Sequence, residues 1–86
     1  MSFSETEITI AITGFIKDNI LADGVELAND TLLESLGIDS FSLIEIFLFI
    51  ERKFGVVLPD SELTAENVKS VASLSAAVVR QITRHS

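Results

Sequence analysis

The fold of this chain is decided by residues 32–55, which read LLESLGIDSFSLIEIFLFIERKFG. Asp39 has the side chain of a good helix N-cap, which makes Ser40 the first residue of a predicted helix. Apolar residues then recur at helical spacing and form one stripe suited to a core: Leu43, Ile46, Phe47, Ile50 and Phe54. Gly55 follows as a stop signal, because glycine readily adopts the left-handed conformation that ends helices. The segment therefore predicts an amphipathic helix over 40–54.

A first helix is predicted near the start of the chain. Ser4 and Glu7 have the spacing of a capping box, in which each side chain bonds the backbone amide of the other residue. Apolar residues follow at helical spacing: Ile8, Ile12, Phe15, Ile16 and Ile20. We expect a helix over 4–20, with a long loop after it.

The remaining elements are shorter or less marked. The loop is expected to hold a short helical turn at 31–36, where Thr31–Glu34 repeats the capping-box spacing. A short third helix is predicted over 60–67 and a last helix over 70–84. Their inward residues are Leu63, Val68, Val71, Leu74, Val78 and Ile82. The prediction is a single all-α domain over 1–86, a four-helix bundle with a short third helix and a long loop between helices one and two.

Composition limits the chemistry available to these 86 residues. There is no Cys, and the only His is His85, next to the C-terminus. These absences exclude a disulfide framework and a thiolate nucleophile, and they argue against a Ser–His–Asp triad. The net charge of −7 argues against nucleic acid as a partner, since a phosphate backbone requires a basic face. A reactive group, if the protein uses one, is expected to come from outside the chain.

The charge is unevenly spread along the chain. Residues 1–50 contain nine acids and one base, a net of −8, whereas residues 51–86 contain four acids and five bases, a net of +1. The most apolar stretch, Leu43–Ile50, is interrupted by Glu45 and is far short of the roughly 20 residues that a membrane span needs. No signal-peptide pattern precedes it. We expect a cytoplasmic protein with no stable membrane insertion.

One acidic segment has the outline of a calcium loop. Asp23 and Glu34 stand at the first and last positions of a twelve-residue loop. However, Val25 and Leu27 occupy positions that need oxygen ligands, and Ala28 stands where glycine is required. We expect no metal site.

Residues 32–41, LLESLGIDSF, resemble the attachment segment of acyl carrier proteins and their peptidyl carrier relatives. That pattern is a leucine pair, then Gly-x-Asp-Ser and a bulky apolar residue, at the start of the second helix. The resemblance continues through Glu45, Glu51, Phe54, Gly55, Val56, Leu58, Pro59, Glu66, Asn67 and Val68. It covers nearly the whole chain and implies an acyl-carrier-protein-like bundle that acts as a discrete carrier and not as a catalyst.

The resemblance also implies a cofactor and partners. Ser40 would be esterified to 4′-phosphopantetheine, taken from coenzyme A by a separate phosphopantetheinyl transferase. The thiol of that arm would hold an acyl or aminoacyl group as a thioester. Acyl-loading and acyl-transfer or synthase enzymes of fatty acid, lipid, polyketide or related biosynthesis would be the partners of a monomeric carrier. Asp39 would cap the helix and contribute to recognition by the transferase. Capping alone also explains Asp39-Ser40, and only the flanking pattern favours attachment.

In the carriers that this chain resembles, the helix after the attachment serine is usually rich in acidic residues. The helix after Ser40 departs from that pattern. Its outward line is Phe41, Ser42, Glu45, Leu48 and Arg52, with Ile44 and Phe49 alongside. Either the apolar groups are buried by a more complete wrapping of the helix, or they form a hydrophobic docking patch. The residues expected to contact partners are Phe41, Glu45, Leu48 and Arg52. An unmodified helical adaptor that uses this helix for dimerisation or partner binding is the alternative function.

If an acyl tail enters the bundle, family geometry and helical spacing together suggest the residues that would line it. They are Phe47, Ile50, Leu63, Val68 and Val71.

Overall fold

The computed structural model describes residues 3–84, and His85 lies outside that range. Within it the chain is all helical, with no strand, which confirms the predicted fold class. The elements are α1 (Glu5–Asn19), a 3₁₀ turn (Leu33–Leu36), α2 (Ser40–Phe54), a second 3₁₀ turn (Asp60–Glu62), α3 (Ala65–Val68) and α4 (Val71–Arg84). The long loop between α1 and α2 lies where the sequence predicts it.

The predicted capping box begins α1. The Ser4 amide donates to Glu7 Oε1 at 3.0 Å, and the Glu7 amide donates to Ser4 Oγ at 3.1 Å. Two of the helix's otherwise unpaired terminal donors are thereby satisfied. The apolar stripe of the helix faces the core, with Ile8, Ile12 and Ile16 fully buried.

The capping box makes a pH-dependent contribution that can be measured. Hydrogen bonds from the Ser4 backbone and then from its side chain lower the pKa of Glu7. Because the pKa is lower in the folded than in the unfolded chain, this stabilisation is present at neutral pH and is lost as the pH falls through the folded value. In ¹³C NMR titrations, Ser4→Ala should move the Glu7 carboxyl midpoint part of the way back towards its ordinary value. An unchanged midpoint would show that the hydroxyl contributes nothing.

The turn before α2 forms differently from its prediction. The 3₁₀ turn begins at Leu33. The residue at its N-cap position is Leu32, whose side chain has no oxygen to accept a hydrogen bond. The capping box predicted at Thr31–Glu34 is therefore wrong, and Thr31 Oγ1 instead accepts from the Ala28 amide at 3.0 Å. Gly37 ends the turn with a φ of 79°, a left-handed conformation that glycine adopts without steric cost.

Two backbone hydrogen bonds tie the long loop to the last part of the bundle. The Leu33 amide donates to the Lys69 carbonyl at 2.8 Å, and the Ala72 amide donates to the Asn29 carbonyl at 2.9 Å. Both bonds join residues far apart in the chain. They hold the turn that precedes Ser40 against the junction of α3 and α4.

The prediction of a single short helix over 60–67 is wrong. Leu63 has a φ of −88° and a ψ of 53°, which interrupts the helical path after the second 3₁₀ turn. Thr64 then takes an extended conformation, and its side chain accepts from the Asn67 amide as the N-cap of α3. Leu63, predicted to turn inward, is instead 36% exposed.

A polar clasp holds this interrupted segment on α4. Arg80 Nη2 donates to Glu62 Oε1 at 2.7 Å and to Asn67 Oδ1 at 3.1 Å. Asn67 Nδ2 in turn donates to the Glu62 carbonyl at 2.8 Å. No residue of the second 3₁₀ turn or of α3 is fully buried, although Val68 packs partly buried against the core, so these side-chain hydrogen bonds add to limited apolar packing.

The core lies between α1, α2 and α4. Its buried apolar residues are Ile8, Ile12, Ile16, Leu33, Ile38, Ile46, Ile50, Phe54, Val56, Leu58, Val71, Leu74, Ala77 and Val78. Ser70 begins α4 through a reciprocal pair of bonds with Ser73, each amide donating to the other's hydroxyl. The stripe predicted for α2 faces this core, although Leu43 and Phe47 are only partly buried.

Candidate functional site

Ser40 is the first residue of α2, and its side chain is exposed. Asp39 precedes it in an extended conformation and accepts from the Ser42 amide at 3.0 Å, so the predicted N-cap is confirmed. Within residues 3–84 the Ser40 hydroxyl has no hydrogen-bond partner. The amides of Ser40 and Phe41 belong to the first turn, whose donors have no acceptor within the helix. A free hydroxyl thus stands beside free amides at the positive end of the helix dipole.

A groove of about 570 Å³ opens beside Ser40. Its walls come from the first 3₁₀ turn, the first turn of α2 and α3, and they include Leu32, Leu33, Ile38, Leu43, Ala65 and Val68. Polar side chains stand among them, namely Glu34, Ser35, Asp39 and Lys69. Apolar residues are thus in the majority in the lining of the groove, and Ser40 itself forms part of that lining.

The five residues suggested for acyl lining do not come together around this groove. Val68 lines it, whereas Ile50 and Val71 are fully buried in the core. Phe47 is partly buried and lines no part of the groove, and Leu63 lies at the surface. Helical spacing identified buried residues of α2 and α4, but it failed for Leu63 and could not find the groove, which depends on where α3 packs.

The capping role of Asp39 can be separated from any recognition role. Asp39→Ala removes the acceptor for the Ser42 amide and should cost about 1 kcal/mol of stability, seen in urea unfolding. Asp39→Asn keeps an N-cap acceptor and should unfold close to the wild type. If Asp39→Asn is stable yet poorly modified by a transferase, its charge serves recognition. Equal stability of all three proteins would show that the cap contributes nothing.

The outward face of α2 is apolar and exposed. Phe41 is 80% exposed, Ile44 54% and Leu48 46%, so the interpretation that these groups are simply buried is wrong. Phe49 differs, because its ring stacks on Phe15 with centroids 4.5 Å apart and is partly buried.

The residues expected to contact partners divide into two groups. Glu45, Leu48 and Arg52 line one shallow groove of about 250 Å³ between α1 and α2. Its other lining residues are Phe15, Asn19 and Phe49. Phe41 lies outside this groove, next to Ser40 in the chain.

Other kinds of site are not seen in the described part of the chain. Residues 3–84 contain no group of three or more His, Asp or Glu side chains placed to hold a metal ion. None of the described helices is long and apolar enough to cross a membrane.

A small helical bundle with an exposed serine at the N-terminus of its second helix, beside an apolar groove, has the features of a carrier protein. Residues 11–78 match the family described as phosphopantetheine attachment site. The chain belongs to this phosphopantetheine-binding carrier family. Membership implies a covalently attached 4′-phosphopantetheine group, and the carriers are not themselves catalysts.

The relatives include carriers of two kinds of cargo. The chain is 38% identical over 69 residues to an acyl carrier protein of Lactobacillus acidophilus, covering 79% of this chain and 84% of that protein. It is 30% identical over 71 residues to aminoacyl carrier protein 1 of Bradyrhizobium diazoefficiens, covering 83% and 77%. It is also 32% identical over 71 residues to the mitochondrial acyl carrier protein of Dictyostelium discoideum, of which it spans only 58%.

Solved structures resemble most of the described bundle. One is a crystal structure of Bradyrhizobium japonicum glycine:[carrier protein] ligase complexed with its cognate carrier protein and an analogue of glycyl adenylate. The similarity has a TM-score of 0.72 at 28% identity and covers 90% of this chain and 97% of the matched chain. A second structure of that ligase, complexed with glycylated carrier protein, matches with a TM-score of 0.68 at 27% identity, over 85% and 96%.

Proposed function

We propose that Ser40 carries the 4′-phosphopantetheine arm and that the protein is a discrete carrier which delivers thioester-bound acyl groups to partner enzymes. The observation that carries the proposal is the exposed, unpartnered hydroxyl of Ser40 at the N-terminus of α2, inside the Gly-x-Asp-Ser pattern. The family match implies the arm. Ser40 lies in the motif, its side chain is exposed, and its hydroxyl has no hydrogen-bond partner within residues 3–84.

The residues around Ser40 suit the chemical parts of the arm. A phosphodiester on Oγ would lie beside the free amides of Ser40 and Phe41, where backbone donors and the helix dipole favour a negative charge. The apolar groove lined by Leu32, Leu43 and Val68 offers a surface to the less polar part of the arm or its cargo. When bound, the group supplies the thiol that this cysteine-free chain lacks.

Loading the arm would be a balanced group transfer on a transferase. The Ser40 oxygen forms a bond to the phosphorus next to the pantetheine of coenzyme A, and the pyrophosphate bond of coenzyme A breaks. Adenosine 3′,5′-bisphosphate leaves, and the hydroxyl proton passes to a base of the transferase. The role of this chain is to present an accessible hydroxyl in a rigid setting, which the N-capped start of α2 provides. The need for coenzyme A leads us to propose the cytoplasm as the place of action.

The cargo we propose is an acyl group of fatty acid, lipid, polyketide or related biosynthesis. The acyl carrier relatives and the apolar walls of the groove support it. An aminoacyl cargo is the second candidate, favoured by the aminoacyl carrier among the relatives. The intact mass of the protein purified from its own cell distinguishes the two, since only an aminoacyl thioester adds the mass of an amino acid less one water.

Mass spectrometry tests the attachment. After incubation with coenzyme A and a purified broad-specificity phosphopantetheinyl transferase, the protein should gain the mass of one phosphopantetheinyl group. Peptide mapping should locate that mass on the peptide containing Ser40. No gain, or a gain on a different peptide, would overturn the assignment.

The unmodified adaptor is the competing function, and the exposed apolar face of α2 supports it. It predicts no gain of mass with coenzyme A and transferase, and an adaptor that uses this face for dimerisation also predicts a dimer in light scattering. The carrier interpretation predicts a monomer that gains the mass. The gain of mass therefore separates the carrier from both forms of the adaptor.

A further inference from the structure

Among the described residues, Lys69 is the only base that lines the groove beside Ser40. The other charged residues in that lining, Glu34 and Asp39, are both acids. The backbone of Lys69 is fixed against the turn that precedes α2, because its carbonyl accepts from the Leu33 amide at 2.8 Å. One cation is therefore held in a groove whose other charges are negative.

The present partner of Lys69 is an exposed acid. Lys69 Nζ donates to Glu66 Oε2 at 2.8 Å, and the two side chains are 48% and 77% exposed. Glu66 does not line the groove. An exposed ion pair of this kind contributes little to stability, because water screens the charges and two flexible side chains must be held in one geometry. Lys69 can therefore exchange Glu66 for a better acceptor at small cost.

A phosphodiester on Ser40 would be such an acceptor. It would add a negative charge to a groove that already contains two acids, and the amides at the start of α2 meet only part of that charge. Apolar residues make up most of the lining, which weakens the screening by water. A bond from an ammonium group to a phosphate oxygen is therefore stronger there than a bond to an exposed carboxylate.

We infer that Lys69 releases Glu66 and binds the phosphodiester of the arm once Ser40 is loaded. This inference rests on the proposed attachment at Ser40. The phosphodiester would then have two sets of donors, the free amides of α2 on one side and the Lys69 ammonium group on the other. Because Lys69 directly follows α3, its bond turns the start of the arm towards the wall that Ala65 and Val68 form.

Carboxyl titrations by ¹³C NMR test the exchange, with unloaded protein and with protein loaded by coenzyme A and a purified transferase. In the unloaded protein, a hydrogen bond from Lys69 and then its charge lower the pKa of Glu66. Loading should raise the Glu66 midpoint towards its ordinary value, because Lys69 leaves. In Lys69→Gln, the midpoint should already be higher before loading and should change much less on loading. The ³¹P resonance of the loaded protein should also differ between wild type and Lys69→Gln.

Two further variants serve as controls. Lys53→Gln removes the same charge from the last turn of α2, about 20 Å along the helix from Ser40, and should behave like the wild type in both measurements. Lys69→Arg keeps a cation in the groove and should retain a rise of the Glu66 midpoint on loading.

The outcomes separate the two proposals. A wild-type protein that gains no mass on Ser40 overturns the attachment and the Lys69 inference with it. Normal loading with an unchanged Glu66 midpoint, an equal rise in Lys69→Gln, or the same ³¹P resonance in wild type and Lys69→Gln overturns the Lys69 inference alone. Circular dichroism checks that each variant is folded. If Lys69→Gln unfolds, Lys69→Met replaces it with the same expected results.

Discussion

Replacing Ser40 with alanine is expected to abolish the gain of mass that the protein shows with coenzyme A and a phosphopantetheinyl transferase. The change removes the only atom that the proposal allows to form the new bond to phosphorus. It should leave the fold intact, because the Ser40 side chain is exposed and makes no hydrogen bond within residues 3–84. Intact-protein mass spectrometry, with circular dichroism of the same sample, measures both effects.

Two neighbouring serines provide matched controls for this loss. Ser42 lies two residues after Ser40 in α2 and is partly buried. Ser35 lies in the first 3₁₀ turn, and its hydroxyl donates to the Leu32 carbonyl at 2.6 Å. Ser42→Ala and Ser35→Ala should both still gain the full mass. If modification persists in Ser40→Ala but disappears in Ser42→Ala or Ser35→Ala, the arm is attached to the serine whose replacement abolishes it.

The largest expected effect on stability comes from the middle of α2. Ile46 is fully buried in the core between α1, α2 and α4. Ile46→Ala should lower the free energy of unfolding by about 2–5 kcal/mol, through lost apolar burial and the cavity left behind. A domain of this size has only roughly 4–13 kcal/mol to lose, so the melting temperature should fall by roughly 10 °C or more.

Ile44 is the matched control for this substitution, since it lies two residues away on the same helix and is 54% exposed. Ile44→Ala should change the free energy of unfolding by no more than about 0.5 kcal/mol, because the side chain already contacts water. Urea titrations of the two variants compare the same deletion on opposite faces of α2. Similar losses in both would mean that the outward face of α2, with Phe41, Ile44 and Leu48, is covered in solution.

The parts of the fold that were predictable depend on signals within a few residues. The caps of α2 at Asp39 and Gly55 act through their own backbone conformation and one hydrogen bond, and both lie where the sequence predicts them. The same is true of the capping box between Ser4 and Glu7. Each pattern has an energetic consequence that does not depend on the rest of the chain.

The parts that were mispredicted depend on residues distant in sequence. The segment predicted as one helix over 60–67 breaks at Leu63, while the clasp from Arg80 holds both of its pieces. No local sequence pattern near Leu63 indicates that Glu62 and Asn67 accept hydrogen bonds from Arg80 in α4. Ile50 and Val71, suggested as cargo lining, are fully buried in the core and do not line the groove beside Ser40, so their role stays a prediction.

The resemblance of residues 32–41 to carrier attachment segments predicted a helical carrier, and the Asp39 cap predicted a serine at the start of α2, because a motif and a helix cap are local properties. The missing cysteine was also informative, since it agrees with a thiol supplied by a cofactor. Packing decided the groove beside Ser40, since one of its walls comes from α3, which is distant in sequence from the first 3₁₀ turn and the start of α2. Packing likewise left Phe41, Ile44 and Leu48 exposed, although their composition alone allowed burial. Whether an apolar side chain meets water depends on which helices lie against it, and that is set only when the distant parts of the chain come together.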